Sequence, residues 1–255
     1  MPADQPTRKL WIGLPAYNEE ATIPALFPRF KEALADTGAN YRIVLYNDGC
    51  TDRTVERTLE WKNQLNVEVI GKPVNKGLGE GLRCLVAHAT EHGAADDVLF
   101  IMDCDDTHHP RQFAGMLAAL DRGFDVVIAS RYRRGARIAG VAPHRQVLSL
   151  GAATLFKLLH WCPGVRDYTC GFRAYRVALL QRARAHYRER LVEERGFACM
   201  VELLLKLNHL DAKMCEVPLD LRYDLKQSAS KMDVGGNTRP LGNNRFQSVP
   251  PFVVR

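Results

Sequence analysis

The 255-residue sequence contains no apolar run approaching the roughly 20 residues that span a bilayer, and its N-terminus, "MPADQPTRKLW", lacks the apolar stretch of a secretory signal. A cytoplasmic protein is expected. Its seven cysteines are scattered, odd in number and never spaced C-x-x-C, which argues against a disulfide framework or a zinc finger and for reduced thiols. Neither G-x-S-x-G nor G-x-x-x-x-G-K-[ST] occurs, so common hydrolase and ATPase readings fall away. Carboxylates are missing from Ser130 to Leu150, "SRYRRGARIAGVAPHRQVLSL", where five arginines stand. Such a stretch suits an anion: nucleic acid, anionic lipid or a phosphorylated substrate, with a solvated loop as the plain alternative.

What is present is an alternation. Apolar strands are expected at "KLWIGLP", "YRIVLYN", "NVEVIGK", "DVLFIMD" and "FDVVIAS", separated mostly by polar or amphipathic segments of helical length. That order implies an α/β fold with a mostly parallel sheet, and 46% hydrophobic residues suffice for a sizeable core. "TDRTVERTLEWKNQ" reads as a helix capped by Thr51 or Asp52, while in the helix after Asn18, Pro24 suits the first turn and Pro28 should kink or shorten it. Ligands of open α/β sheets bind beyond the carboxyl ends of the strands, and "PAYNEE", "YNDGCTD", "NKGLGEG", "DCDDTHH" and "SRYRRG" all fall at such ends. From Lys226 onward the Gly-, Asn-, Ser- and Pro-rich tail reads as loop.

Asp103 and Asp105 flank Cys104 where an apolar strand ends, and two carboxylates so spaced can reach one hard divalent cation. Acidic pairs also cap turns, so the pair alone leaves both roles open. Adjacent His108 and His109 do not point two rings at one tetrahedral ion, which favours magnesium or manganese over zinc. His88 and His92, four apart on a helix, lack the glutamate of a zincin motif and read as an exposed helical face. Gly77, Gly79 and Gly81 are spaced G-x-G-x-G, not as a dinucleotide fingerprint; they serve either a turn approaching phosphate or a tight strand-to-helix connection.

The ordered series "LPAYNEE", "NDGCTDRT", "NKGLGEGLR", "MDCDDTHHP", "SRY" and "DYTCGFRAYR" resembles glycosyltransferase family 2, and within it the polyprenyl-phosphate sugar synthases typified by dolichol-phosphate mannosyltransferase. The similarity runs from Leu10 to about Met232 and implies a single GT-A domain over residues 1–225, with a tail at 226–255. It implies that Pro15, Tyr17, Glu19, Asp48, Lys76 and Asp103 bind the donor nucleotide, that Asp103, Asp105 and Thr107 hold Mg2+ or Mn2+, and that Asp105 and Arg131 are catalytic. Arg131, Arg145 fourteen residues on and Ser149 four further match the family's acceptor-phosphate spacing, with Lys231 of "SASKM" on a loop closing over the site. Two guanidiniums and a hydroxyl make a dianion clamp on chemical grounds as well. The sequence departs from the family at Asn47 and Cys50, which leave Asp48 alone at the nucleotide, at Thr107, where a glutamine is usual, and at Cys170 in place of serine.

The resemblance implies inverting transfer of a hexose from a GDP-mannose or UDP-glucose type donor to polyprenyl phosphate. A phosphate monoester, with a second pKa of about 6, is largely ionised at neutral pH and needs positioning more than a base. "QVLSLGAATLFKLLHW" either lies on a bilayer surface or is a core helix. Many members continue into transmembrane helices, so a peripheral protein at the cytoplasmic face, or one shortened ahead of its membrane part, is expected. Two rivals remain: the same fold with a hydroxyl acceptor, for which Glu202 is the candidate base, and a non-catalytic nucleotide-binding module. Nucleic acid is disfavoured because the arginine segment has only Tyr132 for stacking.

Overall fold

A computed structural model describes residues 8–35, 38–140 and 161–225. All five expected strands are present: β1 (Leu10–Ala16), β2 (Tyr41–Asp48), β3 (Val67–Lys72), β4 (Val98–Ile101) and β5 (Val126–Ser130). They join β7 (Arg173–Arg176) and β8 (Met214–Pro218) in a seven-stranded sheet of order β3-β2-β1-β4-β7-β5-β8. Every pairing is parallel except those of β7, which runs antiparallel between β4 and β5. The leading end of β7 therefore lies at the rim where its neighbours finish. β6 (Arg137–Ala139) and β9 (Asp220–Arg222) form a separate two-stranded ribbon.

Helices cover both faces, as buried strands require. On one side lie α1 (Ile23–Ala35) and α4 (Phe113–Asp121), meeting through Phe30 and Phe113 with ring centroids 6.2 Å apart. The short α2 (Thr54–Leu59) adjoins α1, Trp61 just beyond it meeting Phe27 at 5.9 Å. On the other side are α3 (Leu78–His92), α5 (Val177–Tyr187) and α6 (Ala198–His209). α3 buries Leu82, Leu85, Val86 and Ala89, the helical i, i+3, i+4, i+7 stripe.

Two local expectations are corrected. Pro28 does not shorten α1, which runs 13 residues through it. A proline inside a helix costs about 3 kcal/mol, but Ile23, Leu26, Phe27, Phe30 and Leu34 are all buried, each contributing roughly 1.5–3 kcal/mol. Packing outweighs the missing hydrogen bond. His88 is not on an exposed face: its ring packs edge-on against Trp11 at 5.6 Å and lies 3.4 Å from Glu68, with 13% of its side chain exposed. Only His92 of that pair is exposed.

Candidate active site

The motif loops meet at the carboxyl rim of the sheet. Beyond β1, Asn18 Oδ1 accepts from Thr51 N at 2.8 Å, Glu19 N donates to Thr54 Oγ1 at 2.7 Å, and Glu20 N donates to Asp52 at 3.1 Å. Asp52 also accepts from Thr54 N at 3.0 Å, but the residue at the helix cap is Arg53 and not Thr51 or Asp52, so the expected side-chain cap is not made. Glu19 is buried and accepts from Thr22 Oγ1 at 2.9 Å; Tyr17 is exposed and Pro15 half-buried. Asn47 and Cys50, two of the four departures, knit the same corner. Asn47 Oδ1 accepts from Cys50 N at 2.8 Å, and Cys50 Sγ accepts from Asn18 N at 3.3 Å.

Asp48, at the end of β2, receives the backbone N–H groups of Lys76 at 2.7 Å and Gly77 at 2.9 Å. The Lys76 side chain is left exposed. Next along, Gly79 N donates to Arg195 O at 2.8 Å. A Cβ on Gly79 would stand 1.8 Å from Glu194 O, so the segment ahead of α6 rests directly on the first turn of α3. The amides of this glycine turn are thus engaged by protein, and close packing is the reason for glycine at position 79. Glu202 fixes that segment, accepting from Glu193 N and Glu194 N at 2.9 Å each and pairing with Lys206 at 2.7 Å. It is a satisfied, buried brace.

After β4 the chain makes the acidic turn. The Asp103 carboxylate is 35% exposed, whereas Asp105 is buried and accepts from Thr107 Oγ1 at 2.6 Å and Thr107 N at 3.2 Å. Asp106 adopts the left-handed conformation, φ 62°, and turns away to pair with Arg29 at 2.7 Å. Burial raises its pKa, which Arg29 opposes. His108 is buried, accepts from Asp103 N at 3.4 Å and stacks on Phe172 with centroids 5.2 Å apart; His109 accepts from Arg111 N at 3.2 Å. The two rings do separate work, as expected of adjacent histidines. Among the described residues no three His, Cys, Asp or Glu side chains converge on a possible metal position.

Arg131 follows β5. Its Nε and Nη2 donate to the two oxygens of Asp167 at 2.8 and 2.6 Å, its backbone N donates to Asp167 at 3.0 Å, and Nη2 also reaches Thr169 Oγ1 at 2.6 Å. The segment from Asp167 then arrives at Asp103: a Cβ on Gly171 would lie 3.1 Å from Asp103 Oδ1. One loop therefore links the arginine of β5 to the acidic turn of β4. A second link runs through the ribbon, because Arg222 N in β9 donates to Thr107 O at 2.9 Å while β6, leading out of the arginine segment, pairs with β9. Arg145, Ser149, Lys231 and nearly all of "QVLSLGAATLFKLLHW" lie outside the described residues.

Sequence reasoning passed over Asp167, Glu216 and Arg173. Glu216 on β8 accepts from Arg166 N and Asp167 N at 2.6 Å each. Fully buried Arg173 donates to the carbonyls of Cys170 at 2.8 Å, Tyr168 at 2.6 Å and Met200 at 2.5 Å. Only their place in "DYTCGFR" marked Asp167 and Arg173. Cys170, between them, is buried, and burial pushes its thiol up to about 12, consistent with a packing residue.

The chain is similar over most of its length to known proteins. Dolichol-phosphate mannosyltransferase of Pyrococcus furiosus is 30% identical over 211 residues, covering 82% of this chain and 55% of that protein, so the chain spans about half the length of this relative. Polyprenol monophosphomannose synthase of Mycolicibacterium smegmatis is 28% identical over 237 residues, 92% of this chain and 84% of that one. Glucosyl-3-phosphoglycerate synthase from Mycobacterium tuberculosis, solved with Mn2+, uridine diphosphate and phosphoglyceric acid, superposes with a TM-score of 0.59 at 23% identity, covering 84% of this chain and 69% of that one; it shares the GT-A fold. The model of glycosyl transferase family 2 matches residues 11–184, and the chain belongs to that family.

Proposed function

We propose that this protein transfers a hexose from a nucleotide diphosphate sugar, of the GDP-mannose or UDP-glucose type, to dolichyl or undecaprenyl phosphate, in one displacement with inversion. The observation that carries the proposal is the loop after Asp167, which ties Arg131 at one end to Asp103 at the other. A phosphate-binding group and a cation-binding group thereby share one rim. The names of the Pyrococcus and Mycolicibacterium relatives support the acceptor class.

In this reading Pro15, Tyr17, Glu19, Asp48 and Lys76 receive the nucleotide. Asp48 acts there largely by ordering the backbone at Lys76 and Gly77. Asp103 and Asp105 hold Mg2+ or Mn2+. Two carboxylates suit either ion, which would fill the rest of its shell with phosphate oxygens and water, and the Asp103 carboxylate is partly open to solvent. Thr107, buried and turned toward Asp105, steadies that carboxylate in place of direct ligation. When bound, the cation supplies stabilisation for the charge on the departing nucleoside diphosphate.

Arg131, with Arg145 and Ser149, positions the acceptor phosphate, and Lys231 joins from the tail at 226–255, outside the catalytic domain of residues 1–225. No protein base is needed for an ionised phosphate. The hydroxyl-acceptor alternative is weakened because Glu202, its candidate base, is spent on Glu193, Glu194 and Lys206. Among the described residues no helix is long and apolar enough to cross a membrane. Peripheral contact at the cytoplasmic face is the arrangement we propose for reaching a lipid acceptor.

A thermal-shift panel of GDP and UDP with and without Mn2+ or Mg2+, followed by transfer from the matching sugar nucleotide to polyprenyl phosphate, tests this reading. One nucleotide should stabilise the protein, more so with metal, and R131A should lose lipid-linked product. Unchanged product formation by R131A would remove the acceptor assignment.

A further inference from the structure

We infer that Asp167 is a positioning residue of the acceptor side, which clamps the Arg131 guanidinium so that Nη1 is the nitrogen presented to the acceptor phosphate. This rests on the proposed transfer to polyprenyl phosphate. A guanidinium has five N–H groups: one on Nε and two on each terminal nitrogen. Asp167 takes the Nε proton and one from Nη2, and Thr169 Oγ1 takes the other Nη2 proton. Among the described residues Nη1 meets no hydrogen-bond acceptor, and the side chain is 21% exposed. Both protons left over belong to one nitrogen.

Asp167 has no freedom to do otherwise. It is fully buried, so it neither meets a substrate nor serves as a base. Its backbone N is held by Glu216, and Cys170 N at 3.1 Å and Thr169 N at 3.4 Å approach its Oδ1. Burial works to raise its pKa, but the hydrogen bonds and charge of Arg131 outweigh that and keep it below the usual carboxylate range. The ion pair carries no net charge. What it offers a phosphate is a pair of aimed N–H groups whose direction is set before the lipid arrives, and such preorganisation favours binding.

The test uses the full chain, a short polyprenyl phosphate in detergent micelles and the sugar nucleotide identified by the thermal-shift panel. D167N has one acceptor oxygen in place of two and no charge, so the side-on pairing of Nε and Nη2 with separate oxygens is lost and the guanidinium is no longer fixed. It should raise the acceptor KM about tenfold or more, as expected for a lost charge-assisted hydrogen bond, with kcat at saturating acceptor and nucleotide affinity near wild type. R131K should raise the same KM, and R131K/D167N should be no worse than R131K. An unchanged acceptor KM in D167N, or multiplying effects in the double variant, overturns the inference. If D167N does not fold, T169V serves: it removes one Arg131 contact and should raise the acceptor KM about fivefold at constant kcat, and a wild-type KM sinks the idea. Failure of the unmutated protein to use any polyprenyl phosphate is a separate result and brings down the functional proposal itself.

Discussion

Replacing Gly79 by alanine separates two roles for the glycine turn. The new Cβ would lie 1.8 Å from Glu194 O, against an optimal separation of about 3.5 Å. The obstacle is a backbone carbonyl, and its segment is pinned by Glu202 through two N–H groups at 2.9 Å. Strain should therefore fall at the upper end for overpacking, about 3 kcal/mol. Loss of the Gly79–Arg195 hydrogen bond adds about 1 kcal/mol, and the better helix propensity of alanine returns at most about 1 kcal/mol. The net of about 3 kcal/mol corresponds to a Tm lowered by about 6–12 °C in a domain of this size. Calorimetry of wild type and G79A measures this directly, alongside nucleotide titration well below the transition. A wild-type Tm combined with lost nucleotide affinity would refute close packing and restore a phosphate cradle.

Three further outcomes follow from the site. D103N and D105N should each abolish the extra stabilisation that Mn2+ gives to the nucleotide complex in thermal shift, while D106N, whose carboxylate faces Arg29, should keep it. R173M strands the carbonyls of Tyr168, Cys170 and Met200, and at about 1–3 kcal/mol for each buried acceptor should lower stability in urea by at least about 3 kcal/mol. Because the folded pKa of Asp167 is depressed, its contribution is present above the unfolded value of about 3.9 and lost as pH falls through the lower folded value. The stability difference between wild type and D167N should thus be level above about pH 5 and shrink below about pH 4; a difference that grows on acidification would reverse the sign.

The strands were legible because each apolar run stops at a cluster of turn and charged residues, as "VLFIM" stops at "DCDDTHHP". β7 was not, since "RAYR" is four residues long and carries two arginines, and only its apolar neighbours β4 and β5 make it a central strand. The positions of Asp103 and Arg131 followed from strand ends. The partner of Arg131 did not, because a carboxylate 36 residues later in sequence becomes adjacent only through the reversal of β7. His88 misled for a similar reason: nothing in "HATEH" reveals that Trp11 and Glu68 lie against it. The three glycines allow two explanations in sequence, because nothing there reveals that the chain ahead of α6 rests on Gly77 and Gly79 while Gly81 packs against Pro15 and Tyr46.

The inverted strand also divides labour along the polypeptide. Loops proposed to meet the nucleotide all come from the stretch ending at Thr107, whereas Arg131, Asp167 and the ribbon strands lie downstream of it. On the proposed reading, substitutions in the later stretch would retune the acceptor while leaving the donor loops intact, and the seam between the two stretches includes the approach of Gly171 to Asp103, the stacking of His108 on Phe172 and the bond from Arg222 N to Thr107 O.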